Sequence, residues 1–286
     1  MGRYSRLRFI RTLDPDRDHE RISNMVSRYE FPFDYRLGFE YAVMIDNAVP
    51  SISGLLVKTG QFRDHGQKRF DDTMLFEYEL KRAGLDSPHG RTAVRALNTI
   101  HGRYDITNDD YLFILASQTL GPIDWINTYG WRRLTGHEAR ALVNTNRRMG
   151  ELMGIKDIPL DLTGFRTVLE TTLRDRARYQ DTNRQATESV IQTIARWYPA
   201  PLRPLIPHAV TALVAPYLRP LLGLPDPHGP LEYTVRTALK ARGRALRLAP
   251  PRPAHHPYTP HPNSYPAGWT IAQLGPGHGG RSTESR

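Results

Sequence analysis

Residues 87–110 read Ser87-Pro88-His-Gly-Arg-Thr-Ala93-Val94-Arg-Ala-Leu97-Asn-Thr-Ile100-His101-Gly-Arg-Tyr104-Asp-Ile-Thr-Asn108-Asp-Asp110. Ser87-Pro88 opens a helix that runs to about Tyr104. Along it Ala93, Val94, Leu97, Ile100, His101 and Tyr104 recur at helical spacing and share one face. Arg91, Arg95 and Arg103 lie away from the middle of that face. Asn108 then suits the N-cap of a helix over Asp109–Leu120, whose first acidic residues complement its positive end. One imidazole, His101, is thus carried inward among apolar neighbours.

The same periodicity extends in both directions. Tyr35–Ala48 predicts a helix that stops at Pro50, and Phe70–Ala83 another, ended by Gly84. Pro122 reads as the start of a new turn carrying Trp125. Thr135-Gly-His-Glu138 and Thr182-Asn-Arg-Gln185 read as capping boxes. The first begins a helix to about Met153, closed by Gly154, and Thr163 caps the next, to about Tyr179. Shorter helices follow to about Leu248. No alternating apolar/polar run and no Asn-Gly or Asp-Gly turn signals a strand. The expectation is an all-α chain with a single multi-helix domain over 1–248. Residues 249–286, rich in Pro, Gly, His and Ser, are expected to form a disordered tail. Its histidines His255, His256 and His261 are expected to stand in solvent.

The 286 residues include no cysteine. Disulfides, thiolate zinc sites, iron–sulfur clusters and covalent c-type haem are therefore excluded. Net charge is +10 and the isoelectric point about 9.9. The arginines are scattered rather than massed, which fits a solvated basic surface better than a nucleic-acid face. No apolar run is long enough to span a bilayer, and Met1–Asp18 lacks the apolar core of a signal peptide. A cytoplasmic location is expected. Pro204–Leu224 is apolar but broken by prolines. It suits peripheral membrane contact or a short buried hairpin.

Familiar catalytic motifs are missing. Gly275-Pro-Gly277-His-Gly-Gly280 has the GxGxxG spacing but no strand before it and no helix after it, so it is not a dinucleotide site. No P-loop, HExxH or GxSxG occurs, and no Glu is followed three residues later by His, as a ferritin-like di-iron site requires. Two readings of His101 remain from the residues alone. It is either an iron or zinc ligand or a core histidine bonded to a backbone carbonyl. Arg69 and Thr73, spaced i and i+4, project from one face of the preceding helix. They are either a cation and a hydroxyl lining a pocket, or a surface Arg beside a back-bonded Thr.

Arg69-Phe-Asp-Asp-Thr73, Asp86-Ser-Pro88 and Asn98-Thr-Ile-His101-Gly-Arg-Tyr104-Asp-Ile-Thr-Asn108-Asp-Asp110 together resemble the mpaB/rubber-oxygenase (latex-clearing protein) catalytic domain. The likeness continues through Pro122-Ile-Asp-Trp125-Ile, Tyr129-Gly-Trp131-Arg-Arg-Leu-Thr135, Met149-Gly-Glu-Leu-Met-Gly154-Ile and Asp157-Ile-Pro159. It spans residues 35–171 and is nearest to the fungal mpaB-like branch.

The resemblance implies an all-α, b-type haem (heme b) protein with its pocket between helices. It implies an oxygenase, an oxidoreductase that cleaves or oxygenates an apolar, unsaturated, isoprenoid-like substrate with dioxygen. His101 matches the haem-iron ligand, and Arg69 and Thr73 match residues on the distal side. Asn108, Asp110, Trp125 and Trp131 match as structural parts. Leu97, Ile100, Phe113, Leu115 and Trp125 are expected to line the pocket, with Arg95, Arg103 or Arg132 meeting the haem propionates. Three departures stand out. Asp72 occupies the place of a distal Lys in latex-clearing proteins, and Asp105 that of an Arg. Nothing here reads as the fungal enzyme's membrane anchor. The second expectation is a helical haem- or isoprenoid-binding protein without turnover.

Overall fold

The computed structural model describes residues 2–277, and among them the backbone forms helices and turns but no strand. In chain order the helices are α1 (Ser5–Ile10), α2 (His19–Met25, continued by a π-turn over Val26–Glu30), α3 (Pro32–Asp46), α4 (Pro50–Thr59), α5 (Gln61–Ala83) and α6 (Pro88–His101). They are followed by α7 (Asn108–Tyr129), α8 (Gly136–Leu152), α9 (Leu162–Arg176), α10 (Asp181–Ala195), α11 (Ile206–Leu213) and α12 (Gly229–Leu246). The all-α expectation holds. No helix among the described residues is long and apolar enough to cross a membrane.

The tightest packing joins α3 to α7. A methyl group added at Gly38 would sit 2.5 Å from the Pro122 Cα, and one at Gly121 would sit 2.5 Å from the Gly38 carbonyl oxygen. Ala42, one turn on, faces Gly121, and Asp46, a further turn on, meets Ser117. Small residues thus let two backbones touch, and the rows 38–42–46 and 121–117 run past each other in opposite directions. This contact accounts for Pro122. The sequence suggests a break there, yet α7 continues to Tyr129 with the proline inside it. Proline removes one helical hydrogen bond and crowds the preceding turn. Packing against α3 on the glycine side holds the helix together across the proline.

Helix ends follow the sequence in part. Thr135 and Glu138 form the expected capping box of α8, and Gly154 closes its end at φ 77°. Thr107, not Asn108, caps α7 by accepting from the Asp110 N–H. Asn108 instead brackets the Lys156 backbone, accepting from its N–H at 2.9 Å and donating to its carbonyl at 3.3 Å. Asp161 rather than Thr163 caps α9. The box expected at Thr182 does not form, because Thr182 lies inside α10 and its hydroxyl is 3.0 Å from that of Ser53. Helix α5 begins at Gln61 instead of Phe70 and bends at His65, whose φ is −136°.

The Pro204–Leu224 segment is a short hairpin that buries Ala212, Val214, Leu218 and Leu222 and leaves Leu205 and Tyr217 exposed. The disordered tail expected from residue 249 does not describe residues 249–277. Residues 249–277 carry almost no regular structure but are seated on the helices, with Tyr265, Ile271 and Leu274 buried. Polar bonds to the body and these few core side chains together hold it there. His255, His256 and His261 are exposed, as expected. Residues 278–286, with the second half of the GxGxxG spacing, lie outside the described residues.

Gly38→Ala forces α3 away from α7 and is expected to cost about 1–3 kcal/mol of stability, the usual toll of overpacking. Urea unfolding checks this; a midpoint unchanged from wild type would show that the helices separate freely.

Candidate active site

Between α3, α4, α5, α6, α7 and α8 lies a cavity of about 330 Å³. That volume falls at the lower end of small-molecule pockets, roughly 300–1,000 Å³. Phe39 and Val43 of α3, Ile52, Leu55 and Leu56 of α4, and Phe62, Phe76 and Leu80 of α5 form one side. Leu97 and Ile100 of α6, Ile114 and Leu115 of α7, and Met149, Met153 and Ile155 close the other. Of the apolar residues expected to line it, Leu97, Ile100 and Leu115 do. Phe113 instead points into the core, fully buried, and Trp125 packs against Tyr41 and Tyr129. Both sit on α7 faces turned away from the cavity.

The sequence-predicted trio meets here: Arg69, Thr73 and His101 all line this one cavity. His101 ends α6, tilted against Tyr111 at 5.8 Å between ring centroids. Its Nδ1 is buried and has no hydrogen-bond partner. The alternative of a core histidine satisfied by a carbonyl is therefore set aside. Burial, with the positive charge of Arg69 added, pushes the imidazole down to about 4. It is neutral at pH 7 and keeps a free lone pair.

Arg69 runs along the cavity wall over the Phe62 ring, 5.3 Å from its centroid. Burial lowers its pKa, while Asp72 and Tyr104 act in the opposite direction. It has no salt bridge among the described residues. Its Nη1 donates to the Thr73 hydroxyl, and that hydroxyl donates back to the Arg69 carbonyl at 3.0 Å. The Thr73 proton is thus already used. Thr73 fixes the Arg69 side chain instead of offering a donor of its own.

The buried carboxyls of the wall are otherwise provided for. Glu77 accepts from the Tyr35 hydroxyl at 2.7 Å and pairs with Lys81 at 3.2 Å. Asp110 pairs with Arg176 at 2.5 Å and accepts from Ser51. Asp72, the position of departure from the latex-clearing pattern, pairs with Lys68 at 2.8 Å and accepts from Tyr265. Asp46 has no cation. Burial raises its pKa well above the usual range, opposed only by Ser117. The Ser117 oxygen lies 2.5 Å from Asp46 Oδ1 and 3.0 Å from the Ile114 carbonyl. One hydroxyl hydrogen cannot serve both. A protonated Asp46 that donates to Ser117, which then donates to Ile114, satisfies every atom.

None of the arginines expected near propionates fits that role. Arg132 is buried between Glu30 and Glu138, away from the cavity. Arg95 and Arg103 are exposed and absent from the cavity wall. Sequence reasoning missed Arg176. From α9 it bonds Asp110 and Ser51, two residues of the cavity wall, from behind, and its Nη1 is buried without a partner. No local signal marks it, since α9 lies far along the chain. Asp46 did carry a signal, as a carboxylate ending the apolar run Tyr41–Ile45. The structural parts behave as such: Trp131 is fully buried and donates to the Glu30 carbonyl.

The donor set narrows the choice of cofactor. Among the described residues, no three His, Asp or Glu side chains converge to hold a metal ion. Direct protein coordination needs three or four such donors, whereas haem takes one or two axial ligands from the protein. A single neutral imidazole with a free nitrogen, on an apolar wall, fits haem.

The chain is all-helical and sets one histidine and one arginine without a salt bridge on an apolar cavity. Residues 36–248 match the model of the family described as ER-bound oxygenase mpaB/B'/Rubber oxygenase, catalytic domain, and the chain belongs to that family. It is 29% identical over 159 residues to the ER-bound oxygenase mpaB of Penicillium roqueforti (strain FM164), covering 53% of each chain. It is 25% identical over 252 residues to the ER-bound oxygenase mpaB' of Penicillium brevicompactum, covering 82% of this chain and 60% of that one. The chain thus spans a little over half the length of these relatives.

His101 adds a pH signature to the folded protein. Its folded pKa lies below its unfolded one, so the unfolded chain takes up a proton first as pH falls. Stability should therefore drop between about pH 6.5 and 4. His101→Gln should lose this part of the slope. Urea unfolding across that range checks it; identical slopes would mean that His101 is not held neutral.

Proposed function

We propose that this chain is a b-type haem-dependent oxygenase that oxidatively cleaves or oxygenates an apolar, unsaturated, isoprenoid-like substrate with dioxygen. The observation that carries the reading is the neutral, unpartnered His101 sharing an apolar cavity with the unpaired Arg69. Family membership supports the same reaction class. Bound at His101, haem iron supplies the capacity to activate dioxygen, which no side chain here has.

The chain's own groups do the rest. His101 offers a lone pair without first losing a proton. Arg69 brings N–H donors and a positive charge to a wall with little water, where charge-assisted hydrogen bonds are strong. Thr73 limits the positions Arg69 can take. The aliphatic and aromatic wall would hold a prenyl-like chain by exclusion of water. Protonated Asp46 adds no negative charge to that wall. We place the protein in the cytoplasm, with peripheral membrane contact through the exposed Leu205 and Tyr217.

Titration with haemin should give a Soret band, and His101→Ala should lose it or shift it while its far-ultraviolet circular dichroism stays helical. Full haem retention by that variant would remove His101 as ligand. Arg69→Ala should keep haem but lower oxygen uptake with an unsaturated isoprenoid by about a hundredfold, the scale seen when one donor to developing charge is lost. A haem-loaded wild type that consumes no oxygen with such substrates would favour a binding protein without turnover.

A further inference from the structure

The cavity wall has two residues outside the stretch that matches the family, Gly275 and Pro276. They belong to the irregular segment that crosses α5. We propose that residues 264–276 form the entry gate of the cavity. Asp72 and Lys68 latch it shut, and Gly275-Pro276 limit the bulk accepted beside His101. The proposal concerns admission of any apolar ligand and stands whether or not haem is bound.

The latch is a row of discrete polar bonds along one stripe of α5. Asp71 accepts from the Ser264 N–H at 2.8 Å, and Asp72 accepts from the Tyr265 hydroxyl at 2.5 Å. Lys68 donates to the Gly275 carbonyl at 2.9 Å while pairing with Asp72. Glu79 accepts from the Trp269 indole at 3.0 Å. Residues 68, 72 and 79, with 71 beside them, follow helical spacing, so the segment lies along a single face. Arg69, Thr73, Phe76 and Leu80 form the adjoining face, which lines the cavity. Asp72 belongs to both. It touches the cavity on one side and carries Tyr265 on the other, so the gate and the pocket share a residue.

The inner end of the segment is shaped to its place. Gly275 has φ +100°, and a methyl group there would lie 2.5 Å from Ile100 Cδ1. Only glycine combines that backbone angle with that proximity. Ile100 directly precedes His101, so the segment closes the cavity next to the imidazole. Ile271 and Leu274 are the buried apolar side chains in this stretch besides Tyr265. These side chains anchor the segment in the core with Trp269 against them, but no ladder of backbone hydrogen bonds ties it to the helices. Segments of this kind open at a lower free energy than the helices beneath them. Breaking the Tyr265–Asp72 and Lys68–Gly275 bonds therefore frees the wall without unfolding α5.

Tyr265→Phe and Asp72→Asn in the full chain test this, read by hydrogen exchange of residues 264–276 and by stopped-flow binding of N-phenyl-1-naphthylamine, a neutral apolar fluorophore. Each variant should exchange faster in that segment only and take up the fluorophore roughly tenfold faster, the effect of losing one hydrogen bond to a charged group. Unchanged melting of the helical body separates this from general loosening, and Tyr265→Phe, which keeps the Asp72–Lys68 pair, serves if Asp72→Asn folds poorly. Faster exchange with an unchanged uptake rate overturns the gate. Unchanged exchange overturns the latch, and a fluorophore excluded from every form overturns the entry route. Haemin plays no part in these readings, so a failure here is distinct from failure of the haem assignment.

Discussion

The contact of Gly38 with Gly121 and Pro122 is the constraint on which the cavity rests. Two helices that meet through side chains lie about 8–10 Å apart; two that meet through glycines come closer. The α3–α7 pair therefore forms a thin, rigid partition. Phe39 and Val43 project from one edge of α3, and Ile114 and Leu115 from α7, into the same space. Were the partition thicker, these side chains would fill that space themselves. The small residues in one row of α3 and the large ones in the next are thus two halves of one arrangement.

Electrostatics then decide what the space is for. A carboxylate or a guanidinium facing an apolar cavity is costly unless paired. This wall answers that cost residue by residue: Glu77 has Tyr35 and Lys81, Asp110 has Arg176, Asp72 has Lys68 and Tyr265, and Asp46 protonates. Apart from the exposed Asp105, two groups are left over, the guanidinium of Arg69 and the imidazole of His101. Burial first, and the nearby Arg69 charge second, disfavour a charged histidine, and the histidine gives up its proton. The remaining charge on the wall is positive, suited to an anionic or strongly polarised partner.

How much of this was readable beforehand depends on distance along the chain. The α6 face was legible because a period near 3.6 registers within one helix, and it put His101 inward. Arg69 and Thr73 were legible as a pair for the same reason. That both helices face one cavity came from the resemblance, which covers them together. Arg176 and Tyr265 were not legible, because each meets its partner only through the tertiary fold. Pro122 misled because its local preference is to end a helix, and the packing that overrides it comes from α3. Residues 249–277 misled for a related reason. Their composition is poor in aliphatic residues, which ordinarily leaves a segment unfolded. What composition cannot register is that α5 offers Asp71, Asp72, Glu79 and Lys68 in a row as partners for it.

That last case reflects a division of labour within α5. One face of the helix is apolar and shapes the cavity; the adjoining face is acidic and basic and carries the crossing segment. A stripe of charge on a helix is ordinarily a solvated surface, neutral for stability. Here the stripe is partly covered, so its bonds are shielded from water and hold a segment that could not hold itself. The same face cannot be replaced by apolar residues without losing that attachment, because the segment meets it with an N–H, a phenol, an indole and a carbonyl, while Ile271 and Leu274 pack into the core. The charge pattern of α5, unremarkable as a helix surface, is therefore explained by what lies across it.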